Sequence, residues 1–170
     1  MLRIIQFDSE KYISHVQKLF CENLSLTNLK IVSEFNINID VNAMLEHNMA
    51  TLHQFAPPTG SLLLAEFEGK IAGCAGLRKI GEGVGEVKRM YVRPEYRRRG
   101  IGRSLLLAII NEACQIGYFK LRLDAAPFAK EAHALYYSVG FQNTEPYPES
   151  EIPQKYHPRW VFMELVIGNG

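Results

Sequence analysis

Between Glu86 and Ile116 an apolar strand runs into an amphipathic helix through Arg97-Arg98-Arg99-Gly100-Ile101-Gly102-Arg103-Ser104, and this junction restricts the available folds more than any other stretch. The strand side is irregular. Val87 sits on one parity while Met90 and Val92 sit on the other, and a regular strand cannot turn all three to one face. One extra residue near Lys88-Arg89 restores the alternation, so the pattern predicts a β-bulge that bends the strand and leaves backbone N–H and C=O groups unpaired beside it. On the helix side, Leu105, Ala108, Ile109 and Glu112 recur at helical spacing over Ile101 to Ile116, and Gly117 follows as a favourable residue past a helix end.

The flanking segments read as further strands and helices. Leu2, Ile4, Ile5 and Phe7 suggest a first strand; Ile13, Val16, Leu19, Phe20 and Leu24 a helix; Val41, Leu45, Met49 and Leu52 a second helix, closed before Pro57-Pro58. Leu62 to Phe67 and Ile71 to Leu77 form a hairpin about Glu68-Gly69-Lys70, and Gly81 to Gly85 reads as a mobile connection, a flexible hairpin between two antiparallel strands, into the strand Glu86 to Val92. Leu121 and Leu123 mark another strand. Pro127 opens a helix carrying Ala132, Leu135, Tyr136 and Val139 on one face up to Gly140, and a tyrosine- and proline-rich loop, Thr144 to Arg159, precedes a last strand, Trp160 to Ile167. The order βαα, ββ, βαβα, ββ predicts an α/β (α+β) domain with a mixed sheet, and 170 residues suit one domain over 1–170.

Charge is concentrated where the chemistry is expected. The whole chain carries a net charge of +1, yet Lys88, Arg89, Arg93, Arg97, Arg98, Arg99 and Arg103 outnumber the lone acid Glu95 between Lys88 and Arg103, a local +6. Unpaired N–H groups at a helix start, the positive end of its dipole and adjacent arginines together make a phosphate or pyrophosphate site. Neither the Walker A spacing nor the dinucleotide Gly-x-Gly-x-x-Gly occurs at this turn, which counts against nucleotide hydrolysis and hydride transfer. A nucleic-acid partner is not expected either: Tyr91 and Tyr96 are the only aromatics interleaved with the basic cluster.

Cys21, Cys74 and Cys114 are widely spaced among apolar residues and read as buried thiols of a reducing compartment. The first residues lack a leader pattern, and the longest aliphatic run, Leu105 to Ile110, is far short of the ~20 residues a membrane helix needs, so a cytoplasmic chain without membrane contact is expected. His47, His53, His133 and His157 have no zinc-helix spacing, and no metal is predicted.

Arg97, Gly100 and Gly102 match Arg/Gln-x-x-Gly-x-Gly/Ala, Met90-Tyr91-Val92-Arg93-Pro94-Glu95-Tyr96 precedes them, and Leu135-Tyr136 followed by Gly140-Phe141 closes the later helix. In these landmarks the chain resembles the GNAT superfamily of N-acetyltransferases, best over residues ~60 to 141. The resemblance implies the acyl-CoA N-acyltransferase fold: a mostly antiparallel sheet splayed at the bulged strand, with helices on both faces. It implies acetyl-CoA as acyl donor, its pyrophosphate on the turn formed by Arg97, Arg98, Arg99, Gly100, Ile101, Gly102, Arg103 and Ser104, and its pantetheine arm along Met90, Tyr91 and Val92. A backbone N–H near Met90 then polarises the thioester carbonyl. Where the family often has a cofactor-contacting asparagine this chain has Ala129, with Lys130 as the substitute contact.

The implied reaction, attack of a neutral amine on a thioester, needs a proton acceptor for the ammonium and a proton donor for the leaving thiolate. Tyr136 matches the family's thiol-protonating tyrosine; its place among Ala132 and Val139 equally suits a core tyrosine. Glu86 occupies a position where relatives place a general base; a plain strand-end carboxylate is the competing reading, and Asp124 is second choice. Tyr147, Tyr156, His157 and Trp160 either line an acceptor pocket or pack the loop, and Glu145, Glu149 and Glu151 could attract a cationic amine. The acceptor is a small-molecule or peptide amine, and a homodimer stays open. The alternative is a non-catalytic acyl-CoA sensor or interaction module.

Overall fold

An N-terminal strand, β1 (Leu2–Gln6), leads into α1 (Ser9–Phe35) and α2 (Val41–Ala50) in the computed structural model, which describes residues 1–168. There follow β2 (Ser61–Phe67), β3 (Lys70–Gly81), β4 (Val84–Val92), α3 (Ile101–Ile116), β5 (Lys120–Ala125), α4 (Lys130–Ser138), β6 (Gln142–Asn143) and β7 (Val161–Val166), the predicted order. One seven-stranded sheet runs β1-β2-β3-β4-β5-β7-β6, antiparallel throughout except for the parallel pair β4–β5.

Helices bury one stripe each against the two faces. On α3 the residues Ile101, Leu105, Leu106, Ile109 and Ala113 are buried, packing with Leu121, Leu123 and Met163. The opposite face of the sheet meets Val16, Leu19 and Phe20 of α1 through Leu62, Leu64, Cys74 and Tyr91. The predicted boundaries of α3 hold, with Gly117 at φ 104 ending it. Helix α1 outruns its periodic pattern, reaching 27 residues, because no glycine or proline interrupts it before Asn36 adopts φ 55.

Four expectations are corrected or narrowed. The hairpin expected over Gly81 to Gly85 is present but tighter: Gly81 pairs with Val84, so Glu82-Gly83 alone make the turn, Gly83 supplying φ 71. Helix α4 begins three residues after Pro127, at Lys130. The loop 144–159 is ordered in part, its Gln154–Arg159 segment forming a 3-10 helix. Of the cysteines only Cys74 is buried; Cys21 is half-buried and Cys114, on the outer side of α3, is exposed.

The predicted bulge is present. Gly76 pairs with Lys88 and Cys74 with Tyr91, leaving Ala75 opposite two residues, Arg89 and Met90, with Arg89 at φ 56. On the other side of β4, pairing with β5 stops at Glu86↔Arg122. The two strands part there, and the rest of β4 faces an opening.

Close approach of β3 to β4 depends on Gly73. A Cβ at that position collides with the Tyr91 carbonyl oxygen and lies 3.1 Å from Val92 Cα, both backbone atoms that cannot rotate away. Gly73→Ala is therefore expected to cost about 3 kcal/mol, lowering the thermal unfolding midpoint by roughly 6–12 °C. A midpoint within about 2 °C of the parent would show that the strands can separate without loss.

Candidate active site

A cleft of about 760 Å³ opens where β4 leaves β5. Its floor is Met90, Tyr91 and Val92 of β4, and one end is the turn holding Arg97, Arg98, Gly100, Ile101, Gly102 and Arg103. Lys130 and Leu135 of α4 form the far wall. Arg99 and Ser104 do not line it: the Arg99 guanidinium lies 5.3 Å over the Phe67 ring, and Ser104 is inside α3, its N–H bonded to the Gly100 carbonyl at 3.0 Å.

Backbone geometry makes the turn a donor array. Arg98 and Gly100 take φ 63 and φ 76, and Gly100 caps α3 without any side-chain bond. The N–H groups of Ile101, Gly102 and Arg103, in the first turn, have no intrahelical acceptor. A Cβ on Gly100 would meet nothing within 4 Å, and one on Gly102 would only touch Leu135 and Val92 at 3.5 and 3.8 Å. The cleft is thus bare main chain at this end. Arg97 donates from Nε to the Val92 carbonyl at 2.9 Å, so that carbonyl is engaged within the protein, while Arg103 donates to Ser138 Oγ at 3.1 Å.

Helix α1 supplies an outer wall that sequence reasoning missed: Asn23, Leu26, Thr27, Leu29 and Lys30. Leu29 is 67% exposed, an apolar side chain turned toward the opening rather than the core. The signal was there, since Leu26 and Leu29 continue the apolar residues of α1 beyond Leu24. Glu22 braces this helix, accepting from Arg93 Nε and Nη2 at 2.9 Å each and from the Tyr91 hydroxyl at 3.3 Å.

Glu86 is fully buried rather than a strand-end group. One carboxylate oxygen accepts from Arg78 Nε at 2.7 Å and the other from the Tyr147 hydroxyl at 2.6 Å. Burial raises its pKa against the opposing pull of Lys88 and Arg78. The same burial, followed by the Glu86 charge, raises Tyr147 far above the ordinary phenol range. Of the loop aromatics, Tyr147 is the one bonded to Glu86, and neither Tyr147 nor Glu86 lines the cleft itself; Tyr147 and His157 both pack edge-on to Phe162, and Trp160 packs on Phe35.

Tyr136 lies behind the cleft wall, buried, its ring edge-on to Phe141 at 5.8 Å. None of the hydrogen bonds among the described residues involves its hydroxyl, and that oxygen is not one of the fully enclosed unpaired atoms, which are Arg89 Nε and Arg122 Nε. Burial, then the Asp124 charge, raises its pKa well above the usual phenol value. Asp124 itself accepts from Ser150 Oγ at 2.9 Å and lies 3.7 Å from Lys88 Nζ. Glu151 is not available to attract a cation as expected, because Lys88 and Arg89 already hold it. Among the described residues no three His, Cys, Asp or Glu side chains gather as a metal set, and no helix is long and apolar enough to cross a membrane.

Comparison with known proteins agrees with this architecture. A family model for the acetyltransferase (GNAT) family matches residues 31–141. An uncharacterised N-acetyltransferase of Schizosaccharomyces pombe is 33% identical over 130 residues, covering 75% of this chain and 80% of that protein. An IAA acetyltransferase of Azospirillum brasilense is 34% identical over 119 residues, covering 69% and 75%. The crystal structure of a PaiA N-acetyltransferase from Thermoplasma acidophilum, in complex with coenzyme A, shares the fold with a TM-score of 0.76 at 18% identity over 98% of this chain and 99% of that one. With the family model spanning well over half of its length, this chain belongs to the GNAT acetyltransferase family and is an N-acetyltransferase.

Proposed function

We propose that the protein moves an acetyl group from acetyl-CoA to the primary amine of a small-molecule or peptide acceptor by direct attack on the thioester. The observation that carries this is the pairing of two features in one cleft: an unblocked N–H array at the start of α3 and a β4 edge at Met90 to Val92 with no strand partner on the β5 side, its Val92 carbonyl taken by Arg97. The first suits a diphosphate and the second an extended amide-bearing arm. Acetyl-CoA supplies the activated acetyl; this chain's residues do the rest.

A backbone N–H at Met90 polarises the carbonyl as charge develops on its oxygen. The amine nitrogen forms the new C–N bond, the C–S bond breaks, and its electron pair leaves on sulfur. The ammonium proton passes to Tyr147 as that hydroxyl hands its own to Glu86, whose raised pKa suits a proton acceptor better than a surface carboxylate. Tyr136, an uncharged phenol with an uncommitted hydroxyl, donates to the departing sulfur. Lys130 and Arg103 flank the diphosphate site from α4 and α3.

Thiol release on mixing the protein with acetyl-CoA and a panel of amines tests the reaction, and calorimetry with acetyl-CoA tests the site. Binding without thiol release from any amine would favour the sensor reading instead. A single substitution separates affinity from fold. Gly102→Asp places a carboxylate in the first turn of α3, where the helix dipole welcomes it, while repelling a diphosphate from the same N–H groups. The expected result is an acetyl-CoA Kd raised at least roughly tenfold with an unfolding midpoint equal to or above the parent's. An unchanged Kd would move the diphosphate elsewhere.

A further inference from the structure

We propose that Lys88 and Arg89 form a binding site for a carboxylate on the acceptor, so that the acceptor is an amino acid presenting its amine beside its own carboxylate, and that Glu151 occupies this site until the acceptor displaces it. The inference rests on the acetyltransferase reading and specifies its substrate class.

Consecutive strand residues normally point to opposite faces. At the bulge Arg89 takes φ 56, and its guanidinium comes to the same carboxylate as the Lys88 ammonium: Lys88 Nζ and Arg89 Nη1 each lie 3.2 Å from Glu151 Oε1. A positive φ in a non-glycine residue is costly, and here its effect is to converge two cations on one point.

Both cations are fixed in place and largely withdrawn from water. Their side chains are 10% and 11% exposed. The Arg89 guanidinium lies 5.5 Å over Phe55 and 5.9 Å over Phe20, and its Nη2 donates to buried Asn48 at 3.1 Å. Its Nε is buried with no hydrogen-bond partner, an unused donor in this wall. A rigid, desolvated guanidinium suits carboxylate recognition better than a mobile surface one.

The local charges point to a single carboxylate. Arg78, Lys88 and Arg89 stand against Glu86 and Asp124 once Glu151 is set aside, leaving one positive charge uncompensated. Glu151 fills that gap from an irregular loop, and the two cations hold its carboxyl down to about 2 despite the burial that would raise it. At 29% it is the most exposed of these groups. Its neighbours are anchored independently, Tyr147 to Glu86 and Ser150 to Asp124, so a side-chain rotation releases the site without moving the loop. Arg89 directly precedes Met90 of the cleft floor, so the two cations sit one residue along β4 from the stretch proposed to hold the thioester.

Matched acceptors test this: an amino acid, its carboxamide, and the amine lacking the carboxyl, each assayed by thiol release with acetyl-CoA. The amino acid is expected to exceed both others at least tenfold in kcat/KM. Lys88→Met should erase that preference by raising the acceptor KM, with the acetyl-CoA Kd from calorimetry unchanged. Glu151→Gln should lower the KM for the amino acid several-fold and leave that for the carboxamide unmoved. Equal rates for the three acceptors, or a Glu151→Gln variant with a raised amino-acid KM, overturn the carboxylate site and leave the transferase intact. Calorimetric binding of acetyl-CoA with no thiol release from any acceptor overturns both.

Discussion

Tyr136→Phe is expected to lower kcat by roughly 10²–10³-fold while the acetyl-CoA Kd and the unfolding midpoint stay near those of the parent. The phenyl ring keeps the edge-on contact with Phe141, and the hydroxyl it loses has no partner among the described residues, so no buried donor or acceptor is orphaned. What goes is the proton for the leaving sulfur. The raised pKa of Tyr136 is compatible with this role, because the burial that disfavours a phenolate also disfavours a thiolate leaving into the same surroundings, and the two proton affinities rise together. Single-turnover rates and calorimetry check the result. An unchanged kcat removes the assignment; a lost Kd with an unchanged chemical step would make Tyr136 a packing residue of the cleft wall.

The part of the cleft proposed to hold the cofactor was legible because its signals are local. A break in two-residue alternation can be repaired only by a bulge, and Gly100 and Gly102 before an apolar helical repeat announce a bare helix start; both came out at the residues named. The order of elements along the chain followed from spacing, whereas the strand order within the sheet did not. The cluster proposed to serve the acceptor was not legible because it is assembled from distant segments. From sequence Glu86 was either a general base or a plain strand-end carboxylate, and its burial emerges only when Arg78 from β3 and Tyr147 from the C-terminal loop close over it. Glu151 looked like a free acid in a mixed-charge loop, and its partners lie 62 and 63 positions earlier in the chain. Arg99 illustrates the reverse limit: charge density placed it in the anion site, whereas an aromatic face from β2 draws it aside.

The pairing of Glu86 with Tyr147 yields the second large effect. Glu86→Gln is expected to lower kcat/KM by roughly 10²-fold near pH 7, where the acceptor is an ammonium that must lose its proton in the site. The deficit should shrink toward about pH 9, as more of an α-amine arrives already neutral and the acceptor group matters less. Tyr147→Phe interrupts the same path, so it should produce a loss of similar size and pH trend, and the double variant should be little worse than either alone. Stability runs the other way. Burial raises the folded pKa of Glu86, so its contribution is fully present below the ordinary carboxylate value and is lost as pH rises through the folded one. The glutamine variant, free of that ionisation, should therefore gain on the parent in denaturant midpoint from acid toward neutral pH. A deficit in rate that stays constant from pH 6 to 9 would assign Glu86 to positioning Tyr147 and Arg78 and leave proton acceptance to Asp124, the carboxylate next to it at the splay.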